Sequence, residues 1–488
     1  MLRYTVTTFG CQMNVHDSER MHEVLRGAGY EETPSVAEAD IIVLNTCSVR
    51  EKAEQKLRSE VGRLNKLKRQ KPELVLVVAG CVAQQEGEAL LKQMRAIDLV
   101  VGPDNIAEIP RLLEEIALGG PPLSRTVFDL ESPRFLSAMG DRARAPSSFV
   151  TIMKGCDERC SFCIVPYTRG PERYRSSDEI VAEISRLVDQ GSREITLLGQ
   201  TVNSYRDPLG ALPKAKGARE DDPDESEFAA LLRRIAGELP KLLRLRYTSP
   251  HPRHLTPSLM LAHQELLVLA RHVHMPVQSG SDRMLKRMIR RYTRAEYVER
   301  LNALRSLVPD LTVSTDIIVG FPGETDADFE ETLSLVREVG FMGLFGFKYS
   351  QRPYTPALRL GDDVPEAKKS ERLARLFELS EALFFAHLQS LVGRTLKVLV
   401  EGRDKAETAR WSGRSERNEI VHIVGAGELD LGGAMLDVEV VRANRHSLEG
   451  RAAKEELARF ENASSREPSH EPKRRRALPL LPAEAHEG

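Results

Sequence analysis

The residues best suited to chemistry are cysteines. Cys156, Cys160 and Cys163 stand in the run KGCDERCSFC, a C-x3-C-x2-C spacing. Three thiolates on one short loop can hold three irons of a 4Fe–4S cluster, which normally takes four ligands. The fourth iron is then left without a protein cysteine, free to chelate the amino and carboxylate groups of a small molecule. A zinc loop or unrelated buried thiols are the alternatives, but zinc sites usually come as paired C-x2-C units or with histidine. The remaining cysteines, Cys11, Cys47 and Cys81, are far apart in the chain yet alike in setting. Each falls right after a strand candidate, in TVTTFGC, IIVLNTC and LVLVVAGC. If those runs are parallel strands, their carboxyl ends share one sheet edge, where α/β proteins place their sites. The three thiols could converge there on a second cluster; three core cysteines are the alternative.

Placing thiols in this way demands ordered strands. The chain has 488 residues, 41% hydrophobic and 29% charged, with a formal net charge of −2. Such a chain has room for about three domains, and its composition excludes a mainly disordered or collagen-like protein. A near-neutral total leaves nucleic acid open, because a basic face can sit inside it. No stretch nears the roughly 20 apolar residues a membrane helix needs. The N-terminus, MLRYTVTTFGCQMN, lacks a basic stretch followed by an apolar run. A cytosolic location, no membrane contact and reduced thiols are therefore expected.

Strand candidates Leu2–Phe9, Asp40–Asn45, Leu74–Ala79 and Asp98–Val101 alternate with helical stretches near 17–28, 49–67, 84–92 and 105–118. That rhythm implies an α/β domain over 1–118 with an open parallel sheet. A Pro-, Ser- and Gly-rich linker over 119–146 follows. A second series has strand candidates Phe149–Lys154, Glu194–Leu198, Leu243–Thr248, His272–Val277, Thr312–Val319 and Gly343–Tyr349. Helix caps are expected at Ser176 with Glu179, Thr293 with Glu296 and Thr325 with Asp328. Six such units over 147–385 suggest a partial (β/α)6 barrel. Asp207 to Ser226 interrupts the pattern as a surface loop. After a long helix, short β runs over 388–448 predict a small antiparallel barrel, and 449–488 reads as a disordered tail.

At this point the chain resembles the radical S-adenosylmethionine (SAM) enzymes, whose motif has this cysteine spacing with an aromatic residue, here Phe162, before the last cysteine. The resemblance implies that the Cys156/Cys160/Cys163 cluster binds and reductively cleaves SAM, giving a 5′-deoxyadenosyl radical. With a second cluster on a Rossmann-like N-terminal domain, the chain is similar to the methylthiotransferases, closest to their dimethylallyladenosine-modifying tRNA branch. The matching stretches are GCQMNVHDSE, NTCSVREKAEQK, LLGQTVNSY, MPVQSGSD, TDIIVGFPGET and GRSERNEIVHI. The resemblance implies two 4Fe–4S clusters, SAM as cofactor, a C-terminal TRAM RNA-binding barrel and the anticodon stem-loop of tRNA as substrate. It also implies an outside electron donor and sulfur source; a monomer is expected. Modification of threonylcarbamoyladenosine or a ribosomal protein, or non-catalytic RNA binding, are the alternatives. Two departures stand out. Tyr354 replaces a usual glycine in Arg352–Ala357, and the G-x-I-x-G-x-x-E pattern is only loosely met by Asp316, Ile318, Gly320 and Glu324.

Other residues carry weaker signals. Gln200 and Asn203 follow the second barrel strand and Gln278 and Ser279 the fourth, where amides and hydroxyls suit the polar groups of SAM; Ile318 joins them through the loose motif. They could equally cap helices. Arg287 and Arg291, in a basic run from Arg283 to Arg294, are candidates for an RNA backbone. Arg414 and Trp411 in the small barrel could pair phosphate contact with stacking, unless Trp411 is barrel core. His251, His254, His272 and His274 show no metal spacing.

Overall fold

Apolar runs buried on both faces suit parallel strands covered by helices on either side. In a computed structural model, which describes residues 1–49, 51–131, 133–137, 145–212, 224–404, 410–427 and 429–461, the N-terminal strands form one parallel six-stranded sheet. Its order is Glu31–Glu32, Arg3–Phe9, Ile41–Thr46, Val75–Gly80, Leu99–Val101 and Leu123–Arg125. Alternate side chains feed two cores. Ile42, Leu44, Leu76 and Val78 pack with Leu57, Val61 and Leu64 of helix Glu51–Gln70. Tyr4, Ile41, Val43 and Val77 pack with Met21 and Leu25 of helix Gln12–Gly27 on the other side. Register aligns the strand ends: Phe9 faces Thr46, and Thr46 faces Gly80. Cys11, Cys47 and Cys81 therefore leave the sheet at one level.

Strands Ser147–Thr151, Glu194–Leu198 and Arg244–Tyr247 form one parallel sheet, and His272–His274, Thr312–Val319 and Gly343–Lys348 another. An isolated parallel bridge ties Leu245 to Leu269, on the segment leading into His272–His274. Among the described residues no ladder links the outer strands, so this is an open six-stranded (β/α) barrel. Its core runs from Val150 and Ile152 through Leu197 and Leu245 to Val313 and Phe329. Thr293 and Thr325 make full capping boxes with Glu296 and Asp328, and Ser176 Oγ accepts from the Glu179 N–H. Helix Glu366–Gln389 crosses from the barrel, where Leu376 is buried, to the C-terminal domain, where Leu388 is core.

The C-terminal domain is a closed barrel ordered Thr395–Arg403, Trp411–Ser415, Ile420–Ile423, Leu448–Ala452 and Met435–Ala443. It docks on the starts of the central strands. Arg244 donates to the carbonyl of Arg414 at 3.0 Å, Arg246 to that of Ser415 at 2.7 Å, and Thr312 Oγ1 to that of Arg417 at 3.0 Å. The cysteine loops lie at the opposite, carboxyl ends.

Three expectations are corrected. The segment over 119–146 is not all linker: Leu123–Arg125 extends the sheet, with Leu123 N–H donating to Asp98 at 2.9 Å. Three residues are too few to show a period. The tail does not begin at 449, because Leu448–Ala452 closes the barrel and Lys454–Glu461 is a helix that seats Leu457 on it. The remaining tail, 462–488, and the loop over 213–223 lie outside the described residues. The helical stretch near 84–92 is two helices, Cys81–Glu86 and Glu88–Gln93, broken at Gly87.

Candidate functional site

The loop bearing Cys156, Cys160 and Cys163 is held from both sides. Ser161 N–H donates to the Met288 carbonyl at 2.9 Å, Ser161 Oγ to that of Arg287 at 2.8 Å, and Ala357 N–H to Ser161 at 2.8 Å. The Cys156 and Cys160 side chains are buried. Thr201 Oγ1 lies 3.0 Å from Cys156 Sγ, and the buried Arg290 donates from Nη1 to Cys160 Sγ at 3.3 Å. Burial pushes the Cys156 thiol up to about 11. Burial, then the neighbouring Cys160 and Cys156, pushes Cys163 up as well, so the three sulfurs share one electrostatic environment.

The N-terminal thiols also converge. A hydrogen bond with Cys47 draws the Cys11 thiol down to about 6, while that bond and burial push Cys47 up. Burial pushes Cys81 up, with Cys11 among the charges it feels. Local packing enforces the convergence. Asn14 Nδ2 donates to Asn45 Oδ1 at 3.1 Å, and Asn45 Nδ2 returns to the Asn14 carbonyl at 2.7 Å, tying the start of the helix after Cys11 to the end of the strand before Cys47. A Cβ at Gly10 would stand 2.6 Å from both Asn14 Oδ1 and Cys47 Cβ. Gly80 has φ +94°, and its Cβ would meet Thr46 O at 2.8 Å and Asn45 Oδ1 closer still. Glycine before Cys11 and Cys81 is thus what lets the strand ends approach.

The two triads are physically linked. Helix Val165–Thr168 follows Cys163 and ends at Arg169, which is 4% exposed. Arg169 Nε donates to Cys81 Sγ at 3.3 Å and Nη2 to Asp17 Oδ2 at 2.5 Å. Arg352 adds a second tie, donating to Glu54 Oε1 at 2.9 Å and to the Val49 carbonyl, beside Cys47, at 3.0 Å.

The expected cofactor residues divide. Gln200, next to Thr201, keeps a buried Oε1 with no hydrogen-bond partner among the described residues. Phe162 and Ile318 pack with Met284, Met288 and Phe321 beneath the cysteine loop. Gln278 is buried with φ +76° and bridges to Ile317. Asn203 and Ser279, also expected near the cofactor, have their polar groups engaged within the protein. The Asn203 amide is used up on the His251 main chain, at 2.9 and 2.7 Å, and Ser279 Oγ meets Thr332 at 3.3 Å and the Ser281 N–H at 3.2 Å. Trp411 is also corrected: its ring is barrel core and its indole N–H donates to Leu429 at 3.0 Å, so it offers no stacking face. Arg414 reaches Glu401 at 3.3 Å. In the basic run, Arg287 donates to the Pro322 carbonyl at 3.0 Å, whereas Arg291 is exposed with φ +55°.

Several residues escaped the sequence reading. Arg169 and Thr201 carried no signal beyond their nearness to the motifs, and Arg290 was hidden in a basic run. The histidines gave no linear spacing, yet Glu158, His251 and His254 place ligand atoms within 4.8 Å of one another. His254 Nε2 lies 3.1 Å from Glu158 Oε1 and Arg253 3.7 Å from Oε2. His251 Nδ1 accepts from the Arg253 N–H at 3.2 Å, so its neutral ring carries the proton on Nε2. That Nε2 and Glu158 Oε2 are buried and make no hydrogen bond among the described residues. Burial, then Arg290, His254 and Arg253, holds the His251 ring neutral far below its usual range. Guanidinium groups on this side favour a polar organic ligand over a cation.

Family models match three stretches: an uncharacterized protein family (UPF0004) over residues 3–102, the radical SAM superfamily over 150–336 and the TRAM domain over 389–453. The chain is 70% identical over 498 residues to a tRNA-2-methylthio-N(6)-dimethylallyladenosine synthase of Sorangium cellulosum, covering 99% of this chain and 100% of the relative. It is 45% identical over 452 residues to the protein of the same name from Acidithiobacillus ferrooxidans, covering 92% and 96%. Among solved structures, the radical S-adenosylmethionine methyltransferase TsrM from Kitasatospora setae, with cobalamin and a [4Fe-4S] cluster bound, superposes with a TM-score of 0.51. That match is 15% identical and covers 73% of this chain and 77% of the other, a likeness of fold. No helix among the described residues is long and apolar enough to cross a membrane.

Proposed function

The chain belongs to the tRNA-2-methylthio-N(6)-dimethylallyladenosine synthase family, and we propose that it replaces the C2 hydrogen of N6-dimethylallyladenosine, next to the anticodon of tRNA, with a methylthio group. The observation that carries this reading is Arg169, which joins the helix after one cysteine triad to a sulfur of the other. A reaction needing a radical source and a sulfur source at one base needs both at one cavity.

The donor sets fit two clusters. The chain's six cysteines fall as three and three, each triad one ligand short of the four such a cluster takes. Cys156, Cys160 and Cys163 would hold the cluster that binds SAM, and Cys11, Cys47 and Cys81 the auxiliary one. Bound there, the clusters would supply the electron that splits SAM to methionine and a 5′-deoxyadenosyl radical, and the site for the sulfur. The adenine C2–H bond is not acidic, which makes radical activation apt.

The chain's own residues do the holding. Thr201 and Arg290 direct hydrogen-bonding groups at Cys156 and Cys160, which tunes a cluster's potential and fixes its ligands. Gln200 Oε1, Glu158 Oε2 and His251 Nε2 are buried and make no hydrogen bond among the described residues, and a polar ligand in the barrel mouth would give them one. Phe162 packs against the apolar cluster of Met284, Met288 and Phe321. The C-terminal barrel sits at the far end of the central strands, so an RNA touching it and the mouth must run along the protein. Such an RNA would present its base splayed out of the loop. The electron and the sulfur come from an outside donor and an outside source, and the enzyme works in the cytoplasm as a monomer.

Two measurements test this. Anaerobically reconstituted protein should hold about eight irons and form 5′-deoxyadenosine from SAM. Bulk tRNA from cells lacking the gene should lose the methylthio mass on dimethylallyladenosine and regain it on complementation. Iron for one cluster only, or unchanged nucleosides, defeats the proposal.

A further inference from the structure

Between the two triads lies an aromatic pair that the mechanism leaves unused. Tyr354 has φ +66°, a left-handed conformation that suits glycine and strains an L side chain. The loop around it is pinned. Arg352 is buried against Glu54 and Val49, Thr355 Oγ1 donates to the Arg352 carbonyl at 2.8 Å, and Ala357 is tied to the cysteine loop at Ser161. Yet the Tyr354 side chain is 64% exposed and lies against Tyr167, itself 41% exposed, with ring centroids 5.9 Å apart and planes at 36°. Tyr167 stands on the helix between Cys163 and Arg169. Val49, beside Cys47, and Leu358 are exposed on the adjoining segments, and Arg359 adds a positive charge. Packing does not account for a strained backbone that holds a large ring in water. Exposed flat apolar faces suit an unpaired nucleobase, which stacks without needing a hydrogen-bond partner.

We propose that Tyr354 and Tyr167 form a stacking platform for an unpaired base of the RNA substrate, the neighbour of the adenosine that enters between the triads. This rests on the tRNA reading above. The position fits a neighbour rather than the target itself, because both rings are exposed while the thiols they adjoin in the chain are largely buried.

The test measures binding, by fluorescence anisotropy, of an anticodon stem-loop RNA and of its stem as a blunt duplex to the reconstituted protein. Tyr354→Gly keeps the backbone unstrained, so it should fold. It should weaken stem-loop binding about tenfold, the usual scale of losing one base stack, and leave duplex binding unchanged. Tyr167→Ala should act likewise and Tyr354→Phe should bind as wild type does. An abasic nucleotide beside the target adenosine should erase the difference between wild type and Tyr354→Gly; removing the dimethylallyl group should not. Tyr354→Gly binding the stem-loop like wild type, equal losses on the duplex, or dependence on the dimethylallyl group alone overturns the platform. Wild type that prefers the stem-loop no more than the duplex instead overturns the tRNA reading.

Discussion

Gly80→Ala tests whether glycine is what lets the N-terminal thiols meet. At φ +94° and ψ −159° an L residue is strained, and residues forced into such regions cost about 1–3 kcal/mol. The new methyl would also stand 2.8 Å from Thr46 O and nearer to Asn45 Oδ1. Overpacking of that kind typically costs about 1–3 kcal/mol more. Together the destabilisation is about 2–6 kcal/mol, a large share of the roughly 5–15 kcal/mol that holds a domain together. Gly29→Ala is the control: its φ is +87° but a Cβ there meets nothing within 4 Å, leaving only a left-handed penalty of about 1–2 kcal/mol. Urea unfolding followed by circular dichroism gives the two losses, and iron content after reconstitution reports the triad. Gly80→Ala should lose more stability than Gly29→Ala and hold iron for one cluster rather than two. Equal losses, or full iron in Gly80→Ala, would refute the close-approach argument.

Arg169→Leu should destabilise the protein by about 3–5 kcal/mol, because it strands the buried Asp17 carboxylate. Adding Asp17→Asn should recover most of that in the same urea assay. Replacing Arg290 with Met removes an N–H donor from Cys160 Sγ and should move that cluster's midpoint potential to more negative values in EPR-monitored titration. Asp328→Asn probes pH. Burial alone would raise this carboxyl, but hydrogen bonds from Arg283, Ser281 and Thr325 hold it well below the usual range. A depressed acid contributes stability above its unfolded pKa and loses it as pH falls through the folded one. The variant's deficit should therefore be about 2 kcal/mol at pH 7 and shrink steadily below pH 4, whereas a pH-independent deficit would contradict it.

What was legible in the sequence had a period or a fixed spacing. Ile41–Thr46 and Val75–Gly80 announce themselves as two-sided strands because each opens on four consecutive apolar residues, and a cysteine just past each run then has only one place to go. Capping boxes at Thr293 and Thr325 are local chemistry, readable from neighbours alone. Leu123–Arg125 and Leu448–Ala452 are strands only because a partner's unpaired edge accepts them, and no local signal carries that. Trp411 shows the same limit: an aromatic residue among arginines reads equally as platform or core until the barrel closes over it. Asn203 and Ser279 sit where cofactor residues should, and their side chains also satisfy main-chain groups there, Asn203 those of His251 and Ser279 the Ser281 N–H, a demand no sequence pattern displays.

The charges explain why both triads carry an arginine. Three thiols giving up their protons to a bound cluster would gather negative charge at a buried site, which is expensive in a low-dielectric interior unless paired. Arg290 reaches Cys160 while its other donors hold Tyr292 Oη at 2.9 Å and the Pro276 carbonyl at 2.8 Å. Arg169 reaches Cys81 while Asp17 holds its far end. Each guanidinium has enough donors to serve a sulfur and its own scaffold together, which a lysine's point charge does less well. The difference lies in where each scaffold sits. Arg290 and all its partners belong to the central barrel, so it affects one triad. Arg169 comes from the barrel and ends among N-terminal residues, so the contact that offsets charge at the auxiliary triad also fixes the distance between the two. Separating the domains would therefore leave Cys81 without its donor and Asp17 without its cation. The interface and the N-terminal site should be lost as one unit, with the barrel's own triad left standing.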